Sequence, residues 1–127
     1  MRHYHLEVRG DLFFTQVALK HQGRIRVVKL LIDCGASQAI FSWGTLISLG
    51  IDPAISTIRR RIITANGAIY VPETMLGELD ALGQQADNLK VLAHNIPLGG
   101  QVAGVLGMNF LRRFDTNLNF KQATILI

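Results

Sequence analysis

One cysteine, Cys34, stands among 127 residues, so no disulfide can form within the chain and nothing in its chemistry requires an oxidising compartment. Long apolar runs are missing as well. No stretch of about eighteen apolar residues occurs, which excludes a spanning helix. The opening MRHYHLEVRGD carries charge where a secretion signal would carry its apolar core. The chain therefore reads as cytoplasmic, with no membrane partner.

Acidic residues are few, nine against thirteen Lys and Arg, leaving a net charge of +4. Such a balance suits nucleic-acid binding only where the cations cluster. The single cluster is Arg59-Arg60-Arg61, with no aromatic interleaving and no second basic patch, and it reads as the solvated part of a strand. A basic nucleic-acid-binding barrel has no other support, and no nucleic-acid partner is expected.

Other chemistries are excluded by what the motifs lack. His3, His5, His21 and His94 have no metal-ligand spacing with Cys or carboxylate company, so no metal is expected. The glycines of GGQVAGVLG do not fit GxGxxG, and no Gly-Lys-Ser/Thr is present for a phosphate loop. No serine sits in a Gly-x-Ser-x-Gly elbow. No cofactor is implied by any of these segments.

What the chain has is apolar content, 49% of its residues, which is rich for one compact domain of residues 1–127. Phe13 to Leu19 and Ile25 to Ile32 roughly alternate and predict a hairpin about His21-Gln22-Gly23-Arg24. A short strand, Ala39 to Phe41, then meets Ser42, a helix N-cap type, and Gly50 suits the C′ position that ends that helix. Asp52-Pro53 turns the chain. Ile62 to Thr64 and Ala68 to Val71 flank Asn66-Gly67, a type I′ turn signal. Strands are expected at Glu73 to Leu82 and Asn88 to Ala93 about Gly83-Gln84-Gln85. After Pro97-Leu98-Gly99-Gly100 comes an apolar segment, Val102 to Phe110, and strands at Asn117 to Phe120 and Ala123 to Ile127 close the chain. This is a mainly β barrel or sandwich with one or two short helices.

Within LLIDCGASQAIFS, an aliphatic strand stops abruptly at Asp33. Asp-x-Gly alone is an ordinary turn. Here it ends a core strand, a second apolar-Gly element, Val105-Leu106-Gly107, follows later, and a hairpin able to act as a lid lies between them.

These three segments, in this order, resemble the retropepsin-like single-domain aspartic proteases. Asp33-Cys34-Gly35-Ala36-Ser37 is similar to the family's Asp-Thr/Ser-Gly-Ala loop, Thr64-Ala65-Asn66-Gly67 to its flap, and Val105 to Leu111 to its apolar-apolar-Gly segment with a short helix. Thr116 to Phe120 is similar to the terminal strand that pairs chains in retroviral members. The resemblance implies a retropepsin-like acid-protease barrel and an aspartic endopeptidase whose two carboxylates share one proton and activate a water. Only one such Asp is present, so it implies a two-fold homodimer with Asp33 catalytic in each copy. It also implies that Gly35, Ala36, Ser37, Ala65, Asn66 and Gly67 bind a peptide or protein substrate as an added strand. Cys34 stands where the family has Thr or Ser, and a thiol is a weak donor and acceptor. A non-catalytic member that binds peptides or dimerises through the same barrel is the rival reading.

Overall fold

The computed structural model describes residues 1–99 and 101–127. Eleven strands, two short α-helices and one 3-10 turn follow one another among these residues: β1 (His3–His5), β2 (Glu7–Arg9), β3 (Leu12–His21), β4 (Arg24–Ile32), β5 (Ala39–Phe41), α1 (Trp43–Ser48), the 3-10 turn Pro53–Ile55, β6 (Arg59–Thr64), β7 (Gly67–Ala81), β8 (Gln84–Ala93), β9 (Val102–Leu106), α2 (Met108–Leu111), β10 (Asn117–Asn119) and β11 (Thr124–Leu126). None of the helices is long and apolar enough to cross a membrane. Gly100, in the expected Pro97-Leu98-Gly99-Gly100 connection, lies outside the described residues.

The large sheet runs β2-β3-β4-β9-β5-β8-β7-β6, and antiparallel pairing of Val17–Lys20 with Glu78–Ala81 brings β3 back against β7. That second pairing curls the sheet into the expected mainly β barrel. Inward residues alternate in β3, Val17 with Leu19, and at the end of β8, Leu89 with Val91, and with Leu76 and Leu79 of β7, three residues apart, they are almost wholly buried. A smaller apolar cluster, Ile40, Val71, Leu92 and Val105, has Ala36, Ile62, Ile69 and Ile96 packed against it.

Local signals account for the turns. Gln22 and Gly23 both have positive φ, 46° and 82°, as the β3–β4 hairpin's two-residue loop demands. Leu82 and Gly83 repeat this between β7 and β8, at 53° and 71°. Ser42 caps α1 by accepting from the Thr45 N–H, and Gly50 sits at C′ with φ 81°. Its N–H donates to Ile47 O and that of Ile51 to Leu46 O, the paired bonds of a Schellman ending.

Four expectations are modified. Ala68–Val71 and Glu73–Ala81 belong to one strand, β7, whose partner changes from β6 to β8 around Pro72, a residue with no N–H to donate, while Leu82 falls in the turn. β8 begins at Gln84 rather than Asn88, because its polar outward residues mask the strand. The N-terminal segment contributes β1 and β2, with Leu6 buried between them. Finally, Asn117–Asn119 is a strand, but it pairs with β11 of its own chain, in a small sheet ordered β1-β11-β10. The outer edges of β1 and β10 have no partner in that sheet.

Candidate active site

The β4 strand carries the chain inward and lies parallel to β9, with Leu31 opposite Val105 and Ile32 opposite Leu106. Asp33 is the next residue. Its N–H donates to Leu106 O at 3.1 Å, which extends the strand pairing by one bond and pins the backbone of the acid. Its Oδ1 accepts from the Gly35 N–H at 2.9 Å, so the carboxylate organises its own turn.

The loop then passes under α2. Met108 N–H donates to Ala36 O at 2.8 Å and Asn109 N–H to Ser37 O at 3.0 Å. The Asn109 side chain bridges further, accepting from the Ala39 N–H at 2.9 Å and donating to Lys90 O at 2.7 Å. Two glycines permit the crossing. A Cβ on Gly107 would stand 2.5 Å from Gln38 O and 2.9 Å from Ala36 O, and one on Gly104, where φ is 155°, would overlap Ile40 O. The apolar-Gly segment is thus the surface on which the Asp33 loop rests.

Opposite the loop stands the hairpin of β6 and β7, paired from Arg59 with Pro72 to Thr64 with Gly67. Its loop is Ala65-Asn66, one residue earlier than the expected Asn66-Gly67 turn. Only Gly67 has positive φ there, 109°. The reason is Thr64: its Oγ1 accepts from the Asn66 N–H at 3.2 Å and donates to Gly67 O at 2.9 Å, closing a different turn.

Loop and hairpin enclose a cleft of about 800 Å³. Asp33, Gly35, Ala36, Ser37, Ala65 and Asn66 all line it. Gly67 is not among the lining residues and instead sets the hairpin's turn. Residues without a local signal complete the walls: Gln38, Ile40, Ile62, Leu92, His94 and Ile96. β6 reads Arg-Arg-Arg-Ile-Ile-Thr, with no alternation to single out Ile62, and the others are brought in by pairing between distant elements. Among the described residues, no carboxylate besides Asp33 lines the cleft. Cys34 points elsewhere, exposed and beside a smaller recess of about 230 Å³ with Ile32, Met108, Leu111 and Leu118. Among the described residues no group of three or more His, Cys, Asp or Glu is placed to hold a metal.

One buried charge lies behind the cleft. Glu73 accepts from Arg60 Nε at 2.7 Å and from Gln38 Nε2 at 3.1 Å, and the Arg60 bond holds its carboxyl below the ordinary range despite burial. The middle arginine of the basic cluster therefore has a structural partner.

Residues 17–110 match the family model for aspartyl proteases. The chain belongs to that family. The chain also shares its fold with a retropepsin-like aspartic protease from Rickettsia conorii, whose crystal structure it matches with a TM-score of 0.75 at 23% identity, over 99% of each chain. No curated protein matches its sequence. The retropepsin-like barrel expected from the three segments is the fold the protein has.

Proposed function

We propose that the protein is an aspartic endopeptidase that works as a two-fold homodimer, with one Asp33 from each copy. The observation that carries this reading is a cleft of about 800 Å³ whose only carboxylate among the described residues, Asp33, is held by the backbone at its floor. One carboxylate cannot serve as both base and acid. With a second copy the pair would share a proton: the ionised member takes a proton from water as the water attacks the scissile carbonyl, and the protonated member donates to the carbonyl oxygen. No cofactor enters.

The cleft supports a substrate bound in extended form. The Gly35 position brings backbone close to the peptide, Ala36 and Ser37 border the same wall, and Ala65 and Asn66 cover it from above, with Gly67 shaping the covering turn. Closure of the hairpin would exclude water and add main-chain contacts. The second copy would meet this one beside the recess at Cys34, where Ile32, Met108 and Leu118 leave apolar surface open.

Cys34 itself favours the second reading, a peptide-binding member with weak or no activity, since the hydroxyl that would bond across the two-fold is missing. Incubating an unfolded protein with this chain, with and without a statine-type inhibitor, separates the two. The expected result is inhibitor-sensitive cleavage that Asp33→Asn abolishes while sedimentation still shows a dimer. Undiminished cleavage by Asp33→Asn would remove that residue from the chemistry.

A further inference from the structure

Glu73 is the one charged residue buried among the described residues, 5% exposed. It stands on β7 just beyond the part that forms the hairpin over the cleft. Its Oε2 receives both Arg60 Nε, from the base of that hairpin, and Gln38 Nε2, from the Asp33 loop. A single oxygen therefore ties the covering hairpin to the cleft floor. Because Arg60 compensates the buried charge, Glu73 is an anion at neutral pH, and an anionic carboxylate can only accept hydrogen bonds.

That has a consequence for Gln38, which is half-buried and lines the cleft. A primary amide has one donating end and one accepting end. Facing an acceptor-only partner, Gln38 must turn its NH₂ toward Glu73. Among the described residues its carbonyl oxygen, Oε1, has no hydrogen-bond donor, and together with the second N–H it is what this residue has left to offer on the cleft wall.

We propose that Glu73 is a positioning residue: it locks Gln38 in the flip that offers an acceptor, so the subsite at Gln38 selects a peptide side chain that donates a hydrogen bond over an apolar one of similar size. The proposal rests on the reading of the cleft as a peptide site. Without the lock the amide can turn over and present either end. The selection is then lost although the cleft keeps its shape.

The test uses peptides that differ at one position at a time, lysine against methionine and serine against alanine. Their Kd values are measured on the Asp33→Asn protein by fluorescence anisotropy, and kcat and KM on the active protein. At one peptide position the donor side chain is expected to bind roughly tenfold tighter, the size of one satisfied hydrogen bond. Glu73→Gln and Gln38→Leu should each bring that ratio close to one. The exchanged pair Gln38→Glu with Glu73→Gln should restore it, because the new amide donates to the new carboxylate and the acceptor on the wall returns. A merely structural role for Glu73 would weaken both peptides of a pair equally and leave the ratio unchanged, which overturns the proposal. Should Glu73→Gln fail to fold by circular dichroism, Gln38→Leu and the exchanged pair decide. Cleavage without discrimination at any position defeats this inference and spares the protease reading, whereas no binding and no cleavage defeats both.

Discussion

The two walls of the cleft are built on different physical terms. The Asp33 loop is fastened from below by backbone hydrogen bonds to Leu106, Met108 and Asn109, over glycines that leave no room for a side chain. The hairpin that faces it has its own cross-strand bonds and little else near its tip. Ile63 is 78% exposed and Tyr70 69%, and a Cβ on Gly67 would meet nothing within 4 Å. Local opening is easiest where few buried contacts are lost, so the hairpin can move while the acid stays fixed. A cleft of this kind holds its carboxylate rigid and leaves its cover free to move.

The sharpest test of that contrast is a methyl group placed on each wall. Gly104→Ala forces a Cβ into the Ile40 carbonyl at a φ of 155°, against backbone atoms of Ile40 and Phe41 with no flexible side chain to yield. We expect a loss on the order of 4 kcal/mol in urea unfolding, in the range reserved for strain or overpacking inside a core. Gly67→Ala meets open space, so only its φ of 109° is penalised, about 1 kcal/mol. Its expected signature is a raised KM with only that small loss in unfolding. Equal destabilisation by the two would mean that the hairpin is as integral as the floor.

If the proposed homodimer forms, Cys34 probes the boundary between the rigid floor and the second copy. Replacing it with threonine should tighten the dimer or raise turnover by about 1 kcal/mol for each hydrogen bond regained. Sedimentation and kinetics under reducing conditions, with both forms compared, measure it. A dimer unaffected by the change would place Cys34 away from the two-fold.

The smallest expected effect is on pH dependence, at the tie between the walls. Arg60 lowers the folded carboxyl of Glu73 below its unfolded value. The stabilisation from that shift is present above the unfolded value and is lost as pH falls through the folded one. The stability gap between the wild type and Glu73→Gln should therefore be wider at pH 7 than at pH 3. A gap that widens on acidification would reverse the sign and dismiss the ion pair as its source.

What could be read from the sequence follows the range of the interaction responsible. Ser42 and Gly50 bound α1 as expected, because caps act within one turn of the chain. Asp33 was visible as an acid that cuts short an aliphatic strand. The hairpin over the cleft was visible too, but its turn lay one residue off because the Thr64 hydroxyl outweighs the Asn-Gly preference. Hidden altogether were β1, whose partner strand lies at the other end of the chain, and the meeting of Arg60, Gln38 and Glu73, which come from three separate elements. No periodicity or motif marks a contact of that kind.

The parallel pairing of β4 with β9 also sets an order of events in time. The β3–β4, β6–β7 and β7–β8 hairpins join neighbours in sequence and have short loops to close, whereas the Asp33 N–H must wait for Leu106 to return from far along the chain. Closing a long loop costs more entropy, so non-local pairings tend to form after local ones. In pulsed hydrogen exchange during refolding, the Asp33 amide should gain protection after those of the hairpins. A chain caught midway would then carry its acid and its covering hairpin without the floor that aligns them, so the cleft is complete only once that long-range pairing has formed.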